Sequence, residues 1–157
     1  MTRTGIRRFL RRIPRLRELP PKEILTTLRV AVVIVVVEVL VRVMPLPRLS
    51  RLLGVPVDLA PRRGAGEQLP LRELPPRARR QLRCTRRVAD VWPFSHGPCL
   101  RRALVGGHLL KELHPAVRLG LTGSGDQLLA HAWLEIDGRP LETVDHFVRF
   151  EQAQAAG

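Results

Sequence analysis

Trp92-Pro-Phe-Ser-His-Gly-Pro-Cys99-Leu-Arg-Arg-Ala-Leu104 is the stretch from which the rest of the chain is read. Pro98 suits the first position of a helix, where a missing N–H forfeits no hydrogen bond and the fixed φ is already helical. Leu100, Ala103, Leu104 and Leu110 then recur at helical spacing. Cys99 therefore stands in a first turn, where unpaired N–H groups and the helix dipole favour an anion, and the thiolate is the nucleophilic form of cysteine. Downstream, Leu129-Ala-His131-Ala-Trp-Leu-Glu-Ile136 alternates like a half-buried strand. A helix-borne thiol and a strand-borne imidazole supply the two groups that nucleophilic catalysis needs first.

The run Cys-Leu-x-Arg-Ala-Leu from Cys99 to Leu104 and the run His-Ala-Trp-Leu-Glu-x-Asp-Gly from His131 to Gly138 carry a family resemblance in their order and spacing. Together they resemble the leader peptidases of lasso-peptide biosynthesis, a branch of the transglutaminase-like, papain-related cysteine proteases. The likeness covers Val88 to Leu141, and the hydrophobic, arginine-flanked N-terminal segment is similar to the standalone members. It implies an α+β fold in which a nucleophile helix packs on a small antiparallel sheet, preceded by an N-terminal hydrophobic helix. It also implies a cysteine peptidase that cleaves a ribosomally made precursor between leader and core, with no cofactor. The freed core amine would then be closed into a macrolactam by an ATP-dependent lasso cyclase. Family members with their own leader-recognition domain have a longer N-terminal region, and no winged-helix pattern is found here, so a separate leader-binding protein is expected as partner. Two other readings stay open: another transglutaminase-like amide hydrolase or acyltransferase, and a non-enzymatic membrane-associated binding protein with Cys99 as core.

Cys99 and His131 fill the first two roles of a triad, and an acceptor must orient the imidazole. The resemblance places an acidic residue near position 143, where this chain has Thr143. Hairpin parity offers two substitutes. A two-residue Asp137-Gly138 turn pairs His131 with Val144 and puts Glu142 on the histidine's face; a three-residue loop puts Asp145 opposite His131. Asp145 is the expected third member and Glu142 the reserve, with Asp137 a turn residue. His96 belongs to the loop before the helix, the Cys99 N–H is a natural oxyanion donor, and Trp133 shares the histidine's face as a cover or as core.

Charge divides the chain unevenly. Residues 1–83 hold 19 Lys/Arg against 6 Asp/Glu, whereas residues 84–157 hold 8 of each, so the net +13 belongs to the N-terminal half. Such a half suits an anionic surface or acidic partners. Four per cent aromatics, no tyrosine and no recognised motif argue against specific nucleic-acid binding. Two cysteines without Cys-x-x-Cys or paired histidine spacing argue against a zinc site and a disulfide framework, which fits a cytoplasmic protein.

Residues 1–23 read as a basic arm with seven arginines and one lysine. Ile24 to Met44 is an apolar helix closed by Pro45 and Pro47, long enough to span a bilayer. Arg29, Glu38 and Arg42 interrupt it, each central charge costing about 2.5–3.5 kcal/mol on an insertion scale, although Glu38 and Arg42 can pair at i,i+4. It can pack on the core, lie at the inner membrane face, or span. Leu46 to Pro76 connects, with a short helix at Arg48–Leu53, so residues 1–68 form arm, helix and connector, and 69–157 the protease domain. Leu69–Val88 is a helix with Cys84 as core, and Pro98–Leu113 the nucleophile helix, where Gly106-Gly107 implies close backbone packing. Strands follow at Ala116–Leu121 and Leu128–Ile136, separated by a turn at 122–127, with a hairpin partner at Arg139–Phe147.

Overall fold

The computed structural model describes residues 20–57, 67–92, 98–122, 129–144 and 148–149. The helices are α1 (Pro21–Val43), α2 (Leu46–Leu53), α3 (Pro76–Val91) and α4 (Pro98–Leu109), with 3-10 turns at Leu71–Glu73 and Lys111–Leu113. The strands are β1 (Ala116–Thr122), β2 (Leu129–Ile136), β3 (Arg139–Pro140) and β4 (Val148–Arg149), in the sheet order β3-β2-β1-β4. All named pairings are antiparallel. The fold is α+β, with the cysteine helix on a small antiparallel sheet and an apolar helix before it.

Prolines set most helix limits. α1, α2 and α3 each begin with Pro at the first or second helical position. The residue before a proline is pushed out of the helical region, so Pro75-Pro76 splits the expected Leu69–Val88 helix into a 3-10 turn and α3. α2 stops at Gly54, whose φ of 68° lets the Val55 N–H return to the Ser50 carbonyl at 2.9 Å. The expected Pro98–Leu113 helix ends as α4 at Leu109, and a 3-10 turn leads to His114, held at φ 47° just before Pro115.

Gly106 and Gly107 lie inside α4 because side chains crowd them. A Cβ on Gly106 would sit 3.0 Å from Leu134 Cδ1, and one on Gly107 would sit 2.6 Å from Val55 Cγ1. The close neighbours are therefore side chains of β2 and of the chain after α2, not the backbone that the sequence suggested. This contact lets α4 lie low across β2.

α1 packs against α3 and α4. Val30, Ile34 and Val37 are at most 1% exposed and share one apolar core with Leu104, Val105, Leu110 and Val117. That core therefore joins α1 to the elements after residue 69. Cys84 is buried in it.

The β2–β3 connection is a two-residue turn: Ile136 pairs with Arg139, and Asp137 and Gly138 have φ of 51° and 77°. Two positive φ values match the twist of a tight hairpin. The expected partner strand at Arg139–Phe147 ends at Pro140, after which, among the described residues, the Leu141 N–H continues the ladder to the Leu134 carbonyl. Proline has no N–H to give and belongs on an edge. The ladder resumes at Val148–Arg149, now against β1.

Candidate active site

Cys99 is the second residue of α4 and is partly buried. From it α4 runs across the sheet, with Leu134 of β2 pressed into its two glycines. His131 is the third residue of β2, opposite Gly120 of β1, and is also partly buried. The helix therefore presents the thiol at its first turn, and the neighbouring strand carries the imidazole.

Strand alternation separates two faces of β2. Ala132, Leu134 and Ile136 enter the apolar core, whereas His131, Trp133 and Glu135 take the alternate positions. Trp133 stacks on His131, with ring centroids 6.2 Å apart and planes 18° from parallel. Its indole N–H donates to Glu135 Oε1 at 3.1 Å, and Arg118 Nε donates to Glu135 Oε2 at 2.9 Å. Arg118 and Glu135 are each 2% exposed. A buried ion pair that also binds an indole holds Trp133, and through its ring the histidine, in one orientation. Trp133 is thus buried on the histidine's face of β2, with its ring stacked against the imidazole.

Glu142 is the acidic group that the described residues bring to His131. Its Oε1 lies 3.7 Å from His131 Nε2, and its Oε2 accepts from Arg102 Nη2 at 2.8 Å. Arg102 stands three residues after Cys99, on the same side of α4. One carboxylate therefore faces the histidine of the sheet while holding the helix that carries the cysteine. The two-residue turn realises the parity that puts Glu142 on the histidine's face. The three-residue loop that favoured Asp145 does not form, and Asp145 itself lies outside the described residues. Thr143, at the position where the resemblance places an acid, is exposed and donates to Gln68 Oε1 at 3.1 Å.

Asp137 is an exposed turn residue, and His108 donates through Nδ1 to the Leu53 carbonyl at 3.0 Å. His96 lies outside the described residues. Among the described residues no group of three His, Cys, Asp or Glu side chains can hold a metal ion.

Two arginines matter here. Arg102 is the arginine of the Cys-Leu-x-Arg-Ala-Leu run, which assigns it no role of its own because its partner lies on a distant hairpin. Arg101 reaches the other way, pairing through Nε with Glu38 of α1 and placing Nη2 3.4 Å from Glu38 Oε1. Glu38 is 5% exposed and also pairs with Arg42 one turn on. Consecutive residues of the cysteine helix thus tie it to the apolar helix on one side and to the histidine's carboxylate neighbour on the other.

A cysteine helix laid across an antiparallel sheet that bears a histidine defines a thiol-dependent hydrolase or acyltransferase framework. The family model for the transglutaminase-like superfamily matches residues 33–153, and the chain belongs to that superfamily. No curated protein and no solved structure matches the chain. The match begins inside α1, so the apolar helix that buries Ile34 and Val37 lies partly within the family's extent.

Proposed function

We propose that this protein is a cysteine peptidase that removes the leader from a ribosomally synthesised lasso precursor peptide, freeing the core's N-terminal amine. The superfamily supports acyl-transfer chemistry on a cysteine, and the two sequence runs starting at Cys99 and His131 support the narrower activity. The carrying observation is that Glu142 faces His131 Nε2 while bound to Arg102 of the cysteine helix. A carboxylate at Nε2 leaves Nδ1 as the nitrogen that can exchange a proton with the thiol, since the partner of one ring nitrogen sets the role of the other.

The reaction then follows from three groups. Cys99 Sγ, its proton passed to His131, attacks the carbonyl carbon of the last leader residue. The Cys99 N–H, which has no acceptor within its own helix, is aimed at the oxyanion that forms. The tetrahedral adduct collapses, the C–N bond breaks, and the imidazolium returns its proton to the departing amine. The leader remains as a thioester. Water, deprotonated by His131, attacks that thioester, releasing the leader carboxylate and the thiol. Glu142 stabilises the imidazolium in both halves and holds the ring in place.

The expected partners are the precursor peptide, a separate leader-binding protein, and an ATP-dependent cyclase that consumes the freed amine. We expect the protein in the cytoplasm, where precursor and cyclase would meet. Mass spectrometry of a leader–core precursor, incubated with this protein and a leader-binding protein, tests the reading. Wild type is expected to release the core peptide and Cys99→Ala to leave it intact. Equal cleavage by both, or ammonia release from glutamine in place of peptide cleavage, would overturn it.

A further inference from the structure

α1 carries two apolar faces, and the protein core uses one. Val30, Ile34 and Val37 turn inward and are at most 1% exposed. On the opposite side Leu25, Leu28, Val32, Val36, Val39 and Val43 are 45–72% exposed and form a continuous stripe along the helix. Large contiguous apolar surface of this kind marks an interaction site.

Charge identifies the occupant. Arg29 and Arg42 are exposed and stand at opposite margins of the stripe, Arg42 half in solvent while paired with the buried Glu38. The sequence leading into the helix is cationic too: residues 1–20 hold seven arginines against Glu18. An apolar helix face edged by arginines and preceded by a polybasic segment fits a bilayer with anionic headgroups, acyl chains meeting the stripe and phosphates the cations. A second copy of this chain would set positive margins against positive margins.

The same helix is long and apolar enough to cross a membrane by length and composition, but its other face is committed. Spanning would strip Val30, Ile34 and Val37 from the core and carry Glu38 away from Arg101. We propose that α1 lies flat in the interface of an anionic bilayer, its outer stripe in the headgroup–acyl boundary and its inner stripe on the domain. This inference is independent of the leader-peptidase reading.

The experiment is flotation of the purified full chain with phosphatidylcholine vesicles, with or without phosphatidylglycerol, at low and high salt. Wild type is expected to float with the anionic vesicles, about tenfold less with neutral ones, and less at high salt. Val32→Asp with Val39→Asp replaces two exposed side chains, so it should keep the wild-type circular dichroism and thermal transition and lose flotation. Failure of wild type to float would overturn the proposal, as would flotation of the double variant equal to that of wild type. So would a wild-type dimer in solution that the double variant splits, with no vesicle binding by either. Salt-resistant flotation equal on both vesicle types would also overturn it, because α1 would then span.

Discussion

Glu142 Oε1 lies 3.7 Å from His131 Nε2, close enough for charge stabilisation and longer than a hydrogen bond. Its other oxygen is held by Arg102 at 2.8 Å. Contacts of this kind tighten when the imidazole becomes charged, so the arrangement suits a residue whose work begins once His131 has taken the thiol's proton. Glu142→Ala is expected to lower kcat for core-peptide release by about 10²- to 10⁴-fold, the range for general acid–base machinery. Asp145→Ala, assayed beside it, should cost much less. The reverse order would transfer the orienting role to Asp145.

Arg102 touches the histidine only through Glu142, which makes it a positioning residue. Arg102→Met keeps the stem and removes the donor, and the expected loss is about tenfold in kcat with KM little changed, the signature of an interaction used in the transition state. Arg102→Lys should restore part of it by supplying a charge without the guanidinium's geometry. A loss confined to KM would mean that Arg102 binds substrate directly.

The elements that carry Cys99 and His131 are legible because their signals are local. A proline before the cysteine starts a helix, alternation marks a strand, and Asp-Gly makes a turn whose parity already puts Glu142 beside the histidine. The expectation of Asp145 rests on a three-residue loop that does not form, and Asp145 lies outside the described residues, whereas a partner strand running to Phe147 overlooks Pro140. The two sides of α1 are not legible for a physical reason: valines occupy its inner and outer faces alike, so composition carries no direction. Only tertiary packing, with Glu38 meeting Arg101, decides which face turns inward. Arg102 is the fixed arginine of the Cys-Leu-x-Arg-Ala-Leu run and Arg101 its variable position, yet which carboxylate each one meets, Glu142 or Glu38, is decided only once the neighbours are in place.

Glu38 is a carboxylate buried in an apolar helix and held by Arg42 and Arg101. Removing one member of a buried pair strands the other, and the cost is about 3–5 kcal/mol when burial is complete. Glu38→Ala should approach the lower end of that range, because Arg42 remains half in solvent, as read by urea unfolding. Arg101→Ala leaves Glu38 with Arg42 and should cost less. If the double variant costs as much as the two single ones added together, Glu38 and Arg101 are not coupled.

Gly107 and Gly54 separate two reasons for glycine. At Gly54 nothing lies within 4 Å of an added Cβ, but φ is 68°, so Gly54→Ala should destabilise by about 1 kcal/mol through backbone strain alone. At Gly107 the backbone is helical, and alanine would gain about 1 kcal/mol of helix propensity. Against that gain, the new methyl would meet Val55 Cγ1 at 2.6 Å and Leu134 Cδ2 at 3.2 Å. Valine is stiff at χ1 and cannot swing aside cheaply, so overpacking of about 1–3 kcal/mol should win and Gly107→Ala should destabilise. Val55→Ala removes the obstructing methyls, so Gly107→Ala should cost less on that background, and unchanged cost there would refute the steric account.

The two cysteines allow a direct check on the site. Cys84 is 1% exposed within the core, whereas Cys99 is partly exposed at the start of α4. Iodoacetamide at neutral pH should therefore modify the native protein once, at Cys99, and the urea-unfolded protein twice, with mass spectrometry locating each adduct. Accessibility alone explains that count, so the informative quantity is the rate. His131→Ala removes the group proposed to take the thiol's proton and should slow alkylation of Cys99 severalfold, while leaving the slow labelling of Cys84 unchanged. Equal Cys99 rates in wild type and His131→Ala would show that the histidine does not activate the thiol, and the peptidase mechanism would lose its base.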